Sequence, residues 1–367
     1  MIGRHAVGGG DYRGGMHAIV PPYLLARLAA APAERFPHAA AAARATLAVP
    51  RAYAPMRAHI DLSVDGDALV VSAAPDPDRL ISDAENREEL PGTPARAEGA
   101  EPTGDAAVDE AYDGLGATFA FLWDAFERVG LDGASGSLAA TVHYGRAYDN
   151  AFWDGERMVF GDGDGEVFAG FTRSLSVIAH ELGHGVIESA GGLDYSGQSG
   201  ALNESIADVF GALTDQHHQG QTADAATWLV GAEIFTDAVT GSALRSLAAP
   251  GTAYDDDVLG KDPQPSHMRD FVETSGDNGG VHINSGIPNK AFHLVATVLG
   301  GYAWERAGRI WYLTLISGAL SPSATFAQFA AATADTAARE YGEDSEEAVA
   351  VRTAWASVGV VEDAAAR

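Results

Sequence analysis

Residues 174–190 read SLSVIAHELGHGVIESA, and this stretch carries most of the information about the fold class. Its helical periodicity predicts a helix over about 174–190. His180 and His184 are four residues apart, so a helix places both imidazoles on one face, where they can bind one cation. Glu181 then lies beside the cation, where a base that activates water belongs. The pattern predicts a zinc site of the hydrolytic type.

A second predicted helix, over about 200–217, carries two acidic residues at helical spacing. It contains GALNESIAD at 200–208, in which Glu204 and Asp208 are four residues apart. Glu204 can complete a site of two histidines and one carboxylate, with a fourth position open. Asp208 can accept a hydrogen bond from the non-ligating nitrogen of a zinc histidine. A solvated helix face is the alternative, and neighbouring apolar residues such as Leu202 disfavour it.

The segment 277–286 reads DNGGVHINSG, with His282 following two glycines. A single histidine in such a setting is usually structural. Asp277 is close enough in sequence to pair with it, and a histidine held by a carboxylate can stabilise an oxyanion. Both interpretations stay open from these residues alone.

Together, HELGH, GALNESIAD and DNGGVHINSG, in this order and spacing, resemble the thermolysin family of zinc endopeptidases. The similarity runs from about residue 139 to the C-terminus and more weakly back to about 52. It implies an α+β fold of two lobes, with the zinc helix between a β-rich N-terminal lobe and a helical C-terminal lobe. The implied organisation is a propeptide at 1–48 and lobes at 49–190 and 191–367.

The resemblance also implies a role for each matching residue. One Zn2+ is held by His180, His184 and Glu204, with Glu181 as the general base. Tyr195 and His282 stabilise the oxyanion, and Asp277 orients His282. Substrate is aligned as an added strand by Asn150 and the Ala151 backbone, and Arg245 holds a substrate carbonyl. A pocket for the residue after the cleaved bond is lined by Phe168, Val177 and Leu244, so cleavage is expected on the amino side of bulky hydrophobic residues.

The N-terminal region resembles the short propeptides of the protealysin-like branch of the family, through the element Pro21-Pro22-Tyr23-Leu24-Leu25. This resemblance implies a removable inhibitory propeptide, with its cleavage point expected between Ala40 and Met56. The apolar residues Tyr23–Leu25 are expected to anchor it on the catalytic body and to obstruct the cleft. Alanine-rich residues 24–47, interrupted by prolines, predict a short helical arm.

Calcium is the point at which the chain departs from the family. The positions that match the family's double calcium site are Ser176, Thr227, Leu229, Ala232 and Asp215, of which only the last is acidic. A further calcium loop near 235–242 has Ser242 in place of an aspartate. Neutral side chains cannot offset two divalent cations, so the double site is predicted to be absent.

Composition limits the classes of partner. The 367 residues carry 23 basic and 51 acidic side chains, a net charge of −28, which disfavours nucleic acid and anionic membranes. No apolar run is long enough to span a membrane, and the N-terminus does not read as a Sec signal peptide. A monomer is expected, either cytoplasmic or exported by a non-classical route, although the family is mostly extracellular.

The remaining secondary structure is predicted from periodicity and turn signals. Residues 75–110 are expected to be mostly surface loop, and Asp154-Gly155 to join a hairpin. The run GDGDG at 161–165 is expected to form a tight turn. Asp344 and Glu347 resemble a capping box. Strands are predicted at 59–62, 68–72, 138–144, 151–153 and 157–161, and further helices at 106–130, 285–300, 303–319, 324–341 and 344–357.

Two other functions remain open from the sequence. A catalytically silent peptide-binding homologue on the same fold is disfavoured by the intact set of zinc ligands, base and oxyanion residues. A zinc aminopeptidase is disfavoured by the nineteen residues between His184 and Glu204, since those enzymes typically have one residue fewer there.

Overall fold

The computed structural model describes residues 17–32, 34–49 and 75–362. The helices are Pro22–Ala29 (α1), Pro37–Ala48 (α2), Ala106–Phe126 (α3), Leu175–Ser189 (α4), Gly197–Gln219 (α5), Asp277–Asn284 (α6), Gly286–Leu299 (α7), Arg309–Ile316 (α8), Phe326–Tyr341 (α9) and Glu346–Ser357 (α10). The strands are Asp78–Asp83 (β1), Thr93–Ala97 (β2), Ser137–Val142 (β3), Ala151–Trp153 (β4), Met158–Phe160 (β5), Leu229–Val230 (β6), Arg245–Ser246 (β7), Asp255–Asp256 (β8) and Gly260–Lys261 (β9).

A five-stranded mixed sheet organises the N-terminal half, with strand order β2-β1-β3-β5-β4. Strands β1 and β3 are parallel, and α3 makes the crossover between them. Asp105 caps α3, because its carboxylate accepts from the amides of Ala107 and Val108. Strand β4 pairs with β5 in an antiparallel hairpin and forms the edge of the sheet. The hairpin expected around Asp154-Gly155 is confirmed.

The strands β1 and β2 were not predicted, although most of 75–110 lies outside strands and helices as expected. The residues of β1 read DRLISD, and among its apolar residues only Ile81 is fully buried, while Leu80 is 41% exposed. The pairing with β2 also contains an irregularity between Ile81 and Ser82. A strand near the sheet edge with so little alternation gives almost no periodic signal. The strands predicted at 59–62 and 68–72 lie outside the described residues.

The leader, defined here as residues 17–49, folds into α1 and α2. Both helices have proline in the first turn, where its missing N–H costs nothing. Pro22 and Pro37 therefore begin helices, although Pro37 was expected to interrupt one. Leu24, Leu25 and Leu28 are fully buried within the main hydrophobic core. The helical arm that packs on the body is confirmed.

Two helix starts differ from expectation. Ser345, not Asp344, caps α10, because its hydroxyl accepts from the Ala348 amide. The helix predicted over 303–319 opens with a π-helical turn at Trp304–Gly308 before α8 begins. Periodicity locates such helices but fixes their ends only within a few residues.

Close packing of α4 against α5 sets the geometry of the site. A Cβ on Gly183 would lie 3.1 Å from the Ala207 Cα, and one on Gly211 would lie 2.5 Å from the Ser176 carbonyl oxygen. Glycine at these two positions allows the helix backbones to approach closely. This approach brings Glu204 of α5 to the histidines of α4. Within the described residues, no helix is both long and apolar enough to cross a membrane.

Candidate active site

Three donor atoms converge between α4 and α5. The Nε2 atoms of His180 and His184 are 3.2 Å apart. The His180 Nε2 lies 3.5 Å from the Oε2 atom of Glu204, and the His184 Nε2 lies 3.5 Å from its Oε1 atom. All three side chains are almost completely buried. Tetrahedral zinc with bonds of about 2.0–2.1 Å separates its ligand atoms by about 3.3 Å. The residues present therefore fit a zinc ion with two nitrogen ligands and one carboxylate.

Hydrogen bonds on the far side of each imidazole select the tautomer that zinc needs. The Nδ1 atom of His180 lies 2.8 Å from Asp208, and that of His184 lies 2.8 Å from the side-chain oxygen of Asn203. Because both partners are acceptors, Nδ1 carries the proton and Nε2 presents its lone pair. The sequence analysis missed Asn203, although its position directly before Glu204 was a usable signal.

Glu181 is fully buried at the floor of the cleft, and one of its oxygens accepts from the Trp153 amide at 3.1 Å. Burial and then the charge of Glu204 hold its pKa well above the usual range, while the Arg245 charge and the backbone amides of Trp153 and Ile19 act in the opposite direction. A cation held by the adjacent donors would lower this pKa. The carboxylate thus lies buried beside the candidate metal site.

Tyr195 and His282 converge on the same space from the opposite wall. The Tyr195 hydroxyl donates a short hydrogen bond to Glu204 and lies 3.3 Å from the His282 Nε2. Asp277 accepts from the His282 Nδ1 at 2.6 Å and from its backbone amide at 2.9 Å. Positive φ angles at 277–280 bend the chain so that this carboxylate returns to the imidazole. Burial alone would lower the pKa of His282, but Asp277 and then Glu204 raise it to about 9.

A buried ion pair links the metal site to the wall of the cleft. Both oxygens of Asp208 accept from Arg245, at 2.8–3.0 Å, and one also accepts from Asn289. Burial alone would raise the pKa of Asp208, but Arg245 and His180 hold it well below its usual range. Asp208 therefore fixes an arginine as well as a histidine, which the sequence analysis did not anticipate.

The leader segment 17–20 runs through the cleft beside β4, and an isolated β-bridge joins the two. Ala18 pairs with Phe152 in antiparallel fashion, and the Ile19 amide donates to the Ala151 carbonyl at 3.2 Å. Val20 makes two hydrogen bonds with Asn150, from its amide at 2.9 Å and to its carbonyl at 3.1 Å.

Two side chains, Arg245 and His282, bind carbonyl groups of the segment 17–20. Arg245 donates to the Ile19 carbonyl at 3.1 Å, and the His282 Nε2 lies 3.1 Å from the Ala18 carbonyl oxygen. The raised pKa of His282 favours its protonated form, which can donate this hydrogen bond. The predicted alignment residues Asn150, Ala151 and Arg245 are thus all in contact with residues 18–20.

His17 is a site residue that the sequence analysis missed. Its ring stacks on His184, with centroids 4.1 Å apart, and meets the Tyr195 ring edge-on at 4.3 Å. One donor atom each of His17, His184 and Glu204 lie within 4.8 Å of one another. Burial lowers the pKa of His17 to about 3, so it is neutral. No sequence pattern marked it, because it lies outside every periodic segment.

The three predicted pocket residues are all buried. Phe168 and Val177 are fully buried and Leu244 is 3% exposed. They belong to the same apolar cluster as Ile19, whose side chain is also fully buried. The Ile19 side chain therefore enters the apolar interior next to the cleft.

This fold and this donor set define a zinc-type metallopeptidase. Residues 82–188 match the thermolysin metallopeptidase catalytic domain, and residues 191–360 match the alpha-helical domain of the same peptidases. The chain belongs to the thermolysin family of metallopeptidases and is a zinc-dependent endopeptidase.

Individual relatives place the chain within the family. An "Extracellular metalloprotease" of Pectobacterium carotovorum is 49% identical over 94% of this chain and 96% of its own length. "Protease PrtS" of a Photorhabdus species is 53% identical over 77% of this chain and 76% of its own length. The solved precursor of protealysin, a metalloproteinase from Serratia proteamaculans, covers 94% of this chain and 100% of its own at 49% identity, with a TM-score of 0.84. The predicted two-lobed α+β fold and the protealysin-like resemblance are confirmed.

Proposed function

We propose that this chain is the latent form of an endopeptidase that cleaves on the amino side of bulky apolar residues, inhibited by its own leader. The observation that carries the proposal is the segment of residues 17–20, which lies in the cleft beside β4. It continues on both sides of the Ala18 carbonyl group that His282 holds. A cleft that accepts chain in both directions suits an endopeptidase, whereas an aminopeptidase must recognise a free amine at this point.

The catalytic roles follow from the positions of the side chains. Zinc bound by His180, His184 and Glu204 supplies Lewis acidity, which polarises the substrate carbonyl and makes water a stronger acid. Glu181 takes a proton from the attacking water and passes it to the leaving amine. The Ile19 amide, which marks the position of that amine, lies beside the Glu181 carboxylate. One carboxylate can therefore serve both proton transfers.

Charge that develops on the carbonyl oxygen is met by His282. Its Nε2 already lies at hydrogen-bond distance from the Ala18 oxygen, and Asp277 keeps the ring oriented and protonated. Tyr195 adds a hydroxyl group within reach of the same point. Donors fixed in advance in a buried site stabilise the transition state more than the ground state.

Specificity is proposed to reside at the position that Ile19 occupies. This side chain is fully buried in the apolar cluster that contains Phe168, Val177 and Leu244. Complete burial of a leucine-sized side chain contributes about 1.5–3 kcal/mol. Substrates with leucine, isoleucine or phenylalanine after the cleaved bond should therefore be preferred over those with alanine or a charged residue.

Latency is proposed to come from two parts of the leader, one that blocks the cleft and one that holds the leader on the body. Residues 17–20 fill the cleft, while Leu24, Leu25 and Leu28 fix the leader on the body. Glu166 of the body supports it further, because its carboxylate accepts from the His38 and Ala39 amides at the start of α2. The expected obstruction by Tyr23–Leu25 is thus better assigned to residues 17–20.

The mature enzyme is also proposed to act outside the cell as a monomer without the family's double calcium site. The relatives named above as extracellular support the location. Ser176, at one calcium-matching position, accepts from the Gly231 amide with its hydroxyl at 3.0 Å, so it takes part in neutral packing. Appearance of the enzyme in culture medium ahead of a cytoplasmic marker, and a monomeric mass in solution, are the corresponding tests.

Replacement of Glu181 by glutamine tests the catalytic assignment. The variant should bind zinc at close to one equivalent per chain and show no casein hydrolysis, because the amide cannot accept a proton. An inactive variant that also loses zinc would not separate base from ligand, so metal content is measured on the same sample. Full activity of the variant would show that Glu181 is not the base. A wild-type mature enzyme that cleaves only free-amine peptides, and not the N-terminally blocked form, would identify an aminopeptidase.

A further inference from the structure

The leader occupies the cleft in the register of a substrate. The Ala18 carbonyl oxygen is on His282, and the Ile19 amide and carbonyl bind Ala151 and Arg245. The fully buried Ile19 side chain takes the position of the residue after the cleaved bond. The Ala18–Ile19 peptide bond therefore lies where a substrate bond is hydrolysed, with the apolar residue that the site prefers.

The Ala18–Ile19 bond lies in the position of a substrate bond, so its survival needs an explanation. The adjacent residue, His17, provides it. His17 directly precedes Ala18, so the hydrogen bonds on residues 18–20 fix where its main chain lies. Its side chain is only 9% exposed and turns into the metal site rather than toward solvent. There it stacks on His184 at 4.1 Å and contacts the Tyr195 ring.

The donor geometry makes His17 a candidate for the fourth zinc position. His180, His184 and Glu204 supply three ligand atoms and leave one tetrahedral position open. A His17 donor atom lies within 4.8 Å of those of His184 and Glu204. The tetrahedral edge is about 3.3 Å, so the His17 ring must move closer to these ligand atoms to bind the ion.

We propose that the His17 imidazole completes the zinc coordination of the latent enzyme and thereby keeps the Ala18–Ile19 bond uncut. The inference rests on the proposed zinc site. Hydrolysis of this bond would add water across it, with hydroxyl on the Ala18 carbonyl carbon and a proton on the Ile19 nitrogen. With an imidazole in the open position, water has no place next to Glu181 and the carbonyl group. The leader is thus a substrate with an attached metal ligand.

The coordination is tested directly by zinc X-ray absorption on the full-length chain. A Glu181→Gln background keeps the leader attached, and His17→Ala, His17→Gln and His38→Ala are compared within it. His38 is the matched control, because it is a leader histidine whose side chain is 77% exposed. We expect three imidazoles per zinc in the parent and in His38→Ala, and two in both His17 variants.

Two imidazoles in the parent would overturn the proposal while leaving the zinc site itself intact. Absence of bound zinc from all four proteins would instead overturn the proposed zinc site as well. The parent spectrum is decisive by itself, so the test does not depend on the folding of either variant. Glutamine at position 17 also keeps most of the buried volume if alanine proves disruptive.

Self-cleavage supplies the second measurement, on zinc-loaded full-length chains that retain Glu181. Intact-mass spectrometry should show His17→Ala releasing fragment 1–18 and a new chain that begins at Ile19. The rate should not change on tenfold dilution, because the bond is already seated in its own site. Wild type and His38→Ala should not release this fragment. A folded, zinc-loaded His17→Ala protein that stays intact at this bond as long as wild type would refute the protective role.

Discussion

Replacement of Leu25 by alanine should loosen the leader far more than the same replacement at Leu47. Leu25 is fully buried in the core shared by leader and body, whereas Leu47, also in the leader, is 43% exposed. Truncation of a fully buried leucine costs about 3 kcal/mol, because transfer and cavity terms add. The exposed leucine leaves no enclosed cavity, and its loss should cost about 1 kcal/mol or less.

These energies predict how often the leader leaves the cleft. Since each 1.4 kcal/mol is a factor of ten, Leu25→Ala should raise the undocked fraction by about 100-fold and Leu47→Ala by about fivefold at most. Hydrogen exchange at the Ile19 and Val20 amides reports this fraction, because both donate to the body, to Ala151 and Asn150. A Glu181→Gln background prevents self-digestion during the measurement.

The comparison between Leu25→Ala and Leu47→Ala separates the loss of a buried leucine from the loss of an exposed one. Exchange at these two amides should accelerate by about 100-fold in Leu25→Ala and only slightly in Leu47→Ala. Equal exchange in the two variants would refute the idea that the Pro21–Leu25 element anchors the strand in the cleft. Acceleration confined to α1 itself would show that the strand of residues 17–20 holds to the cleft without it.

Three further predictions concern charge and metal. Asp277→Asn should shift the alkaline fall of kcat/KM in the mature enzyme to lower pH. Asp277 raises the pKa of His282 to about 9, and only protonated His282 donates both its ring protons. An unchanged pH profile would contradict this role of Asp277. His143, which lies between Asp162 and Asp105 and whose pKa is raised to about 9 by them, should stabilise the fold by about 1 kcal/mol after allowance for solvent screening. Since the pKa of His143 is raised, this contribution is complete below about pH 6.5 and disappears as pH rises through about 9. The urea midpoints of Glu181→Gln with and without His143→Asn should therefore differ at pH 6 and coincide at pH 10. Asparagine is chosen because the backbone at this position has φ near 54°. Millimolar calcium should leave the thermal midpoint of the zinc-loaded Glu181→Gln chain unchanged, and a rise of several degrees would show that a calcium site remains.

The residues that bind the metal could be predicted because their spacing alone carries the chemistry. Two histidines four residues apart on a helix must share a face. The loop to the next helix is short, so the carboxylate on that helix lies close to them. The structure brings these side chains together through the glycine contacts between α4 and α5, which the sequence could not show. Asn203 and the pairing of Asp208 with Arg245 are tertiary contacts without a periodic signature.

The position of the segment 17–20 in the cleft could not be predicted from the sequence. The segment is four residues long, pairs with β4 only through tertiary docking, and adjoins a glycine-rich stretch, so neither helix nor strand periodicity marks it. Strand β1 and the edge strand β2 were missed for a related reason, since few of their residues are both apolar and buried. Apolar residues at helical spacing, in contrast, were sufficient to predict most helices of the C-terminal half.

The domain boundaries at 48 and 190 stay predictions, and the leader cleavage point can be narrowed. Helix α2 extends to Ala48, and a peptide must be extended to bind along β4. Residues 40–48 must therefore unwind before they can bind, which disfavours this part of the range first expected, between Ala40 and Met56.

Whether the catalytic site removes its own leader can be measured by mass spectrometry of the purified, zinc-loaded chain over time. We expect loss of the leader, with a new N-terminus within 49–56, together with the onset of hydrolysis of a blocked peptide. A zinc chelator and Glu181→Gln should each prevent both events. Removal of the leader at an undiminished rate in the presence of chelator, or in the Glu181→Gln chain alone, would contradict the claim that this site processes its own leader.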